Sequence, residues 1–120
     1  MTVSEYEKSI IALAAWRAFR EEGTRGMVCA AMALRNRANK GWFDGSLYWN
    51  AVAELKGNPA TEYADGREPE FMMLLQAIDG VVSGRTDDRT GGALYWAPLS
   101  QSETIIGERT AQVGRFVFFK

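Results

Sequence analysis

Two adjacent glutamates, Glu21 and Glu22, are the side chains of this sequence best placed for acid chemistry. They stand at the predicted end of a helix, among Arg17, Arg20 and Arg25. A glutamate that aromatic neighbours partly desolvate can have its pKa raised enough to act as a general acid. The same residues are also typical of a solvated ion-pair cluster, which contributes little to stability. Spacing alone leaves both interpretations open.

The amino-acid composition leaves carboxylates as the side chains available for acid catalysis. The chain has no histidine and a single cysteine, Cys29. This excludes Ser-His-Asp and Cys-His catalysis, most zinc sites and an internal disulfide framework. Cys29 stands among alanines in an apolar stretch, which indicates a buried structural thiol. We therefore expect neither a metal nor a cofactor.

The length and net charge of the chain limit its number of domains and the kinds of partner it can bind. With 120 residues we expect one domain, residues 1–120, and a monomer. The net charge of −1 argues against nucleic acid. The longest apolar run, Val28 to Leu34, is too short for a membrane span. The start lacks a basic segment followed by an apolar one, so we expect synthesis in the cytoplasm without a signal peptide.

Helical patterns occupy the first two thirds of the chain. Ser4 and Glu7 form a capping-box pattern that opens the first helix, and Gly23 predicts its end near Glu22. The next helix is rich in alanine, which favours a buried central position. Capping, proline and glycine signals place the helices after the first at about Arg25–Asn39, Ser46–Leu55 and Glu70–Val82.

The last third has β-type character. Three short runs are expected to pair as a small antiparallel sheet: Ala93–Ala97, Thr104–Ile106 and Arg115–Phe119. The sequence thus predicts an α+β fold, mostly helical, with the sheet toward the C-terminus.

Three motifs resemble one protein family. The first is Trp16-Arg17-x-x-Arg20-x-Glu22, followed by Gly26-Met27 and, after a small-residue helix, Asn36-Arg37. The second runs from Thr90 to Trp96 as Thr-Gly-Gly-Ala-Leu-Tyr-Trp, and the third from Val113 to Phe119 as Val-Gly-Arg-Phe-Val-Phe-Phe. Together they resemble the cell wall hydrolases of the spore-cortex-lytic type and similar phage endolysins.

The resemblance implies a lysozyme-like domain whose partner is the peptidoglycan glycan strand. Such a domain cuts between N-acetylmuramic acid and N-acetylglucosamine, as a lytic transglycosylase or muramidase with one glutamate as acid and then base. It would act on the cell wall after release, as in phage lysis. Side chains expected to bind the substrate are Arg20, Thr61, Tyr63, Tyr95 and Trp96.

One departure from the family pattern concerns the acid itself. The family's first glutamate, its presumed acid, falls on Ala18 here, and alanine has no proton to give. Three explanations stay open: a deliberate Glu→Ala replacement, transfer of the acid role to Glu22 or Glu21, or a natural glycan-binding or virion structural domain that does not cut. A cytoplasmic interaction protein without any glycan role is the alternative from another class.

Overall fold

Four α-helices and a three-stranded antiparallel sheet build the described part of the chain. The computed structural model describes residues 3–56 and 68–120. The predicted α+β fold, mostly helical with a small sheet near the C-terminus, is confirmed. The elements are α1 (Glu5–Phe19), α2 (Gly23–Asn39), α3 (Leu47–Lys56), α4 (Glu68–Ser83), β1 (Tyr95–Pro98), β2 (Arg109–Val113) and β3 (Phe116–Phe119).

Helix α1 begins as predicted but ends earlier. The Ser4 hydroxyl accepts from the Glu7 N–H, and the Glu7 carboxylate accepts from the Ser4 N–H, each at 3.1 Å. The α-helical backbone ends at Phe19, whose φ of −133° and ψ of 16° are not helical. Residues 20–22 form a single 3₁₀ turn, so the predicted end near Glu22 is three residues too late. This turn redirects the chain between α1 and α2.

Helix α2 is the central element that its alanine content predicts. Ala30, Ala31 and Ala33 are fully buried, and α2 packs against α1, α3 and α4. Small side chains allow helices to approach closely on several faces at once. Helices α1, α3 and α4 are therefore held against one central helix.

The sheet has the strand order β1-β3-β2, and one predicted strand is wrong. Thr104 ends a 3₁₀ segment, Leu99–Thr104, and Ile106 is 94% exposed without strand pairing. Hydroxyls of Ser102 and Thr104 donate to the backbone carbonyls three residues before them. Such local bonds compete with sheet formation. The second strand lies instead at Arg109–Val113, antiparallel to β3.

Phe19 joins the helices to the sheet. Its ring is 1% exposed and packs on three aromatic side chains of β1 and β3, with centroid distances of 5.5 Å to Trp96, 4.4 Å to Phe116 and 5.4 Å to Phe118. Aromatic clusters of this kind add to the stabilisation from burial. Because Phe19 directly follows Ala18, the cluster also fixes position 18 relative to β1.

Candidate functional site

Ala18 faces a cavity of about 210 Å³ between α1, α3 and β1. Position 18 is half-buried, so a longer side chain there would extend into this space. We call it the Ala18 cavity; it is lined by Ala14, Arg17, Ala18, Glu54, Leu55 and Trp96. It combines an aromatic surface, a cation and a carboxylate, which are groups that can contact a sugar chain.

Tyr95 and Trp96, which were both predicted to contact substrate, lie on opposite faces of the sheet. Trp96 lines the Ala18 cavity. Tyr95 stacks on Phe119 at 5.7 Å, and its hydroxyl donates to the carbonyl of Ile106 at 2.7 Å. Neighbouring strand residues point to opposite faces, so the pair cannot share one cleft. The structure places Trp96 beside the same cavity as position 18, whereas Tyr95 packs on Phe119.

Arg37 contacts two of the residues that line the cavity, Trp96 and Glu54. Its guanidinium lies between two indole rings, 5.3 Å from the Trp42 centroid and 5.2 Å from the Trp96 centroid. It donates through Nε to the carbonyl of Leu94 and through Nη1 to Glu54 Oε2 at 3.0 Å. A guanidinium between aromatic faces is held in one orientation. Arg37 therefore fixes both Trp96 and Glu54.

Sequence reasoning missed Glu54. It belongs to α3 and is the one carboxylate among the described residues that line the Ala18 cavity, and its side chain is 32% exposed. No local pattern marks this residue, because its partner Arg37 is 17 positions away on another helix. The Asn36-Arg37 motif was the only sequence feature that pointed to this part of the site. It lies near the end of α2, and α3 packs against α2.

Glu22, the first alternative for the acid, is used differently. Its side chain is 12% exposed and accepts hydrogen bonds from Arg115 in the β2–β3 turn, at 3.4 Å from the backbone N–H and 3.1 Å from Nε. Two glycines make room for it: a Cβ at Gly26 would come within 2.7 Å of the Glu22 Cβ, and one at Gly114 would overlap its carboxylate. Glu22 thus ties the helix joint to the sheet, outside the Ala18 cavity.

This anchor gives a test of stability. Gly114→Ala should lower the free energy of unfolding by about 1–3 kcal/mol, because Gly114 has a φ of +56° and the new Cβ would displace the Glu22 carboxylate from Arg115. Gly41→Ala is the matched control, with a φ of +95° and no atom within 4 Å of its Cβ. Urea unfolding measures both. Equal losses in the two variants would show that the Glu22 contact contributes nothing.

The exposed Glu21 pairs with the half-buried Arg20 at the same turn. Arg20 Nε lies 3.6 Å from Glu21 Oε1, and the Glu21 side chain is 67% exposed. Neither residue lines the Ala18 cavity. Thr61 and Tyr63, the other predicted substrate contacts, lie outside the described residues.

The Thr90-Gly91-Gly92 motif forms a turn organised by Asp88. The Asp88 carboxylate accepts hydrogen bonds from the Thr90 N–H and hydroxyl, the Gly92 N–H and the Asn36 amide. Desolvation acts to raise the pKa of Asp88, but these hydrogen bonds outweigh it and lower the pKa below 3.8. Asn36 also donates to the carbonyl of Ala93 at 2.9 Å. The second motif therefore has a structural role that connects α2 to β1.

Because the pKa of Asp88 is lowered in the folded protein, the free energy of unfolding depends on pH in the acid range. The Asp88 contribution is fully present above the unfolded-state pKa of 3.8 and is lost as the pH falls through the lower folded-state pKa. Asp88→Asn should thus destabilise the protein by a constant amount above about pH 5, with the difference from the parent shrinking toward pH 2. Unfolding curves across this range, with Asp87→Asn as control, measure it. A difference that does not change with pH would contradict the assignment.

A second cavity of about 360 Å³ lies between α2 and the segment after α4, and Cys29 is among its lining residues. Burial raises the pKa of the Cys29 thiol, and the cysteine is free. Among the residues that the structure describes, those predicted as the acid or as substrate contacts do not line this cavity. Within residues 3–56 and 68–120, no group of three or more histidine, cysteine, aspartate or glutamate side chains could hold a metal ion. None of the helices described there has the length and apolarity needed to cross a membrane.

Comparisons with protein-family models, with curated proteins and with solved structures found no match to this chain.

Proposed function

We propose that this chain is a peptidoglycan-binding domain of the cell wall hydrolase type, whose glycan cleft is the Ala18 cavity. One observation carries the proposal. Position 18, where the resembling family has its acid, faces a cavity bounded by Trp96 and Glu54 and lies neither in the core nor on an open surface. A carboxyl group at this position would be partly desolvated, as a general acid requires.

The chain as it stands binds the glycan strand without cutting it. Protonating a glycosidic oxygen needs a carboxylic acid at the bond, and Ala18 offers none. Glu22 does not replace it, because its carboxylate is hydrogen-bonded to Arg115 outside the cavity. With glutamate at position 18, the same cleft would support cleavage by the lytic transglycosylase route.

Binding is tested by pelleting the protein with purified sacculi. We expect Trp42→Ala to weaken co-sedimentation several-fold, because Trp42 is 42% exposed and holds Arg37 against Trp96. Trp49→Ala is the matched control, since Trp49 is 52% exposed and packs on Tyr48. No co-sedimentation by the parent chain would favour a protein without a glycan role. Cleavage is tested by substituting position 18.

A further inference from the structure

We infer that Glu54 is the charge-stabilising carboxylate of the cleft, acting on the sugar that position 18 would protonate. This inference rests on the proposed function. Glu54 reaches the Ala18 cavity from α3, whereas position 18 reaches it from α1. The two positions therefore bound one space from two elements, so a carboxyl group introduced at position 18 and the Glu54 carboxylate would face the same cavity.

The surroundings of Glu54 hold its carboxylate in a fixed position. Arg37 donates to it at 3.0 Å, and the Arg37 guanidinium is itself fixed between Trp42 and Trp96. A charge-assisted hydrogen bond with arginine fixes the orientation of a carboxylate. A carboxylate that is oriented before the reaction can stabilise positive charge that develops nearby.

The reaction then balances without any added reagent. The carboxyl introduced at position 18 gives its proton to the bridging oxygen as the bond from that oxygen to the anomeric carbon breaks. Positive charge develops on the muramoyl ring and is stabilised by the Glu54 carboxylate. The 6-hydroxyl of the same sugar bonds to the anomeric carbon, and its proton returns to the carboxylate at position 18. Glu54 forms no covalent bond in this sequence of steps.

The test separates the effect of the Glu54 charge from the effect of its side-chain shape, in variants that also carry Ala18→Glu. Glu54→Gln keeps an acceptor for Arg37 but removes the charge, so kcat on sacculi should fall about 100-fold while co-sedimentation changes less than about twofold. Glu54→Asp keeps the charge and should retain at least about a tenth of kcat. Glu103→Gln, an exposed residue on the 3₁₀ segment after β1, is the control for removing a carboxylate elsewhere.

The outcomes separate this inference from the proposed function. Full activity in the Glu54→Gln double variant, or loss of activity in a folded Glu54→Asp double variant, overturns the role of Glu54 and leaves the cleft assignment intact. A folded Ala18→Glu variant that cuts nothing overturns both. Circular dichroism shows which variants are folded. If the glutamine variant does not fold, the kcat of the aspartate variant decides.

Discussion

The Ala18→Glu variant is expected to release soluble muropeptides from purified sacculi about 10²–10⁴ times faster than the parent chain. The gain comes from a single proton donor placed in a cavity that already holds an aromatic wall and the Glu54 carboxylate, which is hydrogen-bonded to Arg37. Because Ala18 is half-buried beside the Phe19 cluster, the new carboxyl group would be partly desolvated. Desolvation raises the pKa of a carboxyl group, which keeps it protonated at higher pH.

Ala18→Gln is the control for this gain. Its side chain has nearly the same shape and can form hydrogen bonds, but it has no acidic proton, so it should remain inactive. Loss of turbidity and analysis of reduced muropeptides provide the readout. Products that end in an intramolecular anhydro ring would identify the transglycosylase route, and products with new reducing ends would identify hydrolysis.

The same experiment tests whether the acid role has passed from position 18 to Glu22. A gain with glutamate, from an inactive parent, is expected whether the alanine was introduced deliberately or arose naturally. Activity in the parent that Glu22→Gln abolishes would assign the acid role to Glu22 and contradict the cleft proposed around position 18. The structure favours the first result, because Glu22 is engaged with Arg115 in the β2–β3 turn.

Local signals in the sequence were sufficient for most of the helical part of the fold. The capping box at Ser4, the alanine-rich central helix and the N-terminal region of α4 all depend on residues within a few positions of each other. The prediction of a strand at Thr104–Ile106 was wrong because it rested on side-chain type alone. β-Branched residues favour a strand, but hydroxyl-to-backbone bonds and the preceding Pro98 give this segment another conformation.

The candidate site was predictable only where a motif named its residues. Trp96 and position 18 came from the resemblance, and the structure brings both to one cavity. The role of Glu22 in a contact across 93 residues, and the pairing of Glu54 with Arg37, depend on how distant elements pack. Neither contact has a signature in the periodicity or spacing of the chain, because packing between distant elements is not encoded in either.

Phe19→Ala is expected to cost about 3–5 kcal/mol of unfolding free energy, the largest stability loss we predict for a single substitution. Phe19 is 1% exposed and packs on Trp96, Phe116 and Phe118, so alanine would remove the contacts of a whole ring and leave a cavity. Since small domains are stable by only about 5–15 kcal/mol, this loss would bring the protein close to unfolding. Denaturant titration by circular dichroism measures it.

Phe43→Ala is the matched control, because the Phe43 side chain is 53% exposed and its backbone φ of 53° is equally unfavourable for phenylalanine and alanine. It should cost less than about 1 kcal/mol. In the Ala18→Glu background, Phe19→Ala should also reduce cleavage under conditions where the protein remains folded, because the aromatic cluster sets the position of α1 relative to Trp96. Unchanged cleavage by a folded Phe19→Ala variant would show that the cleft geometry does not depend on this cluster.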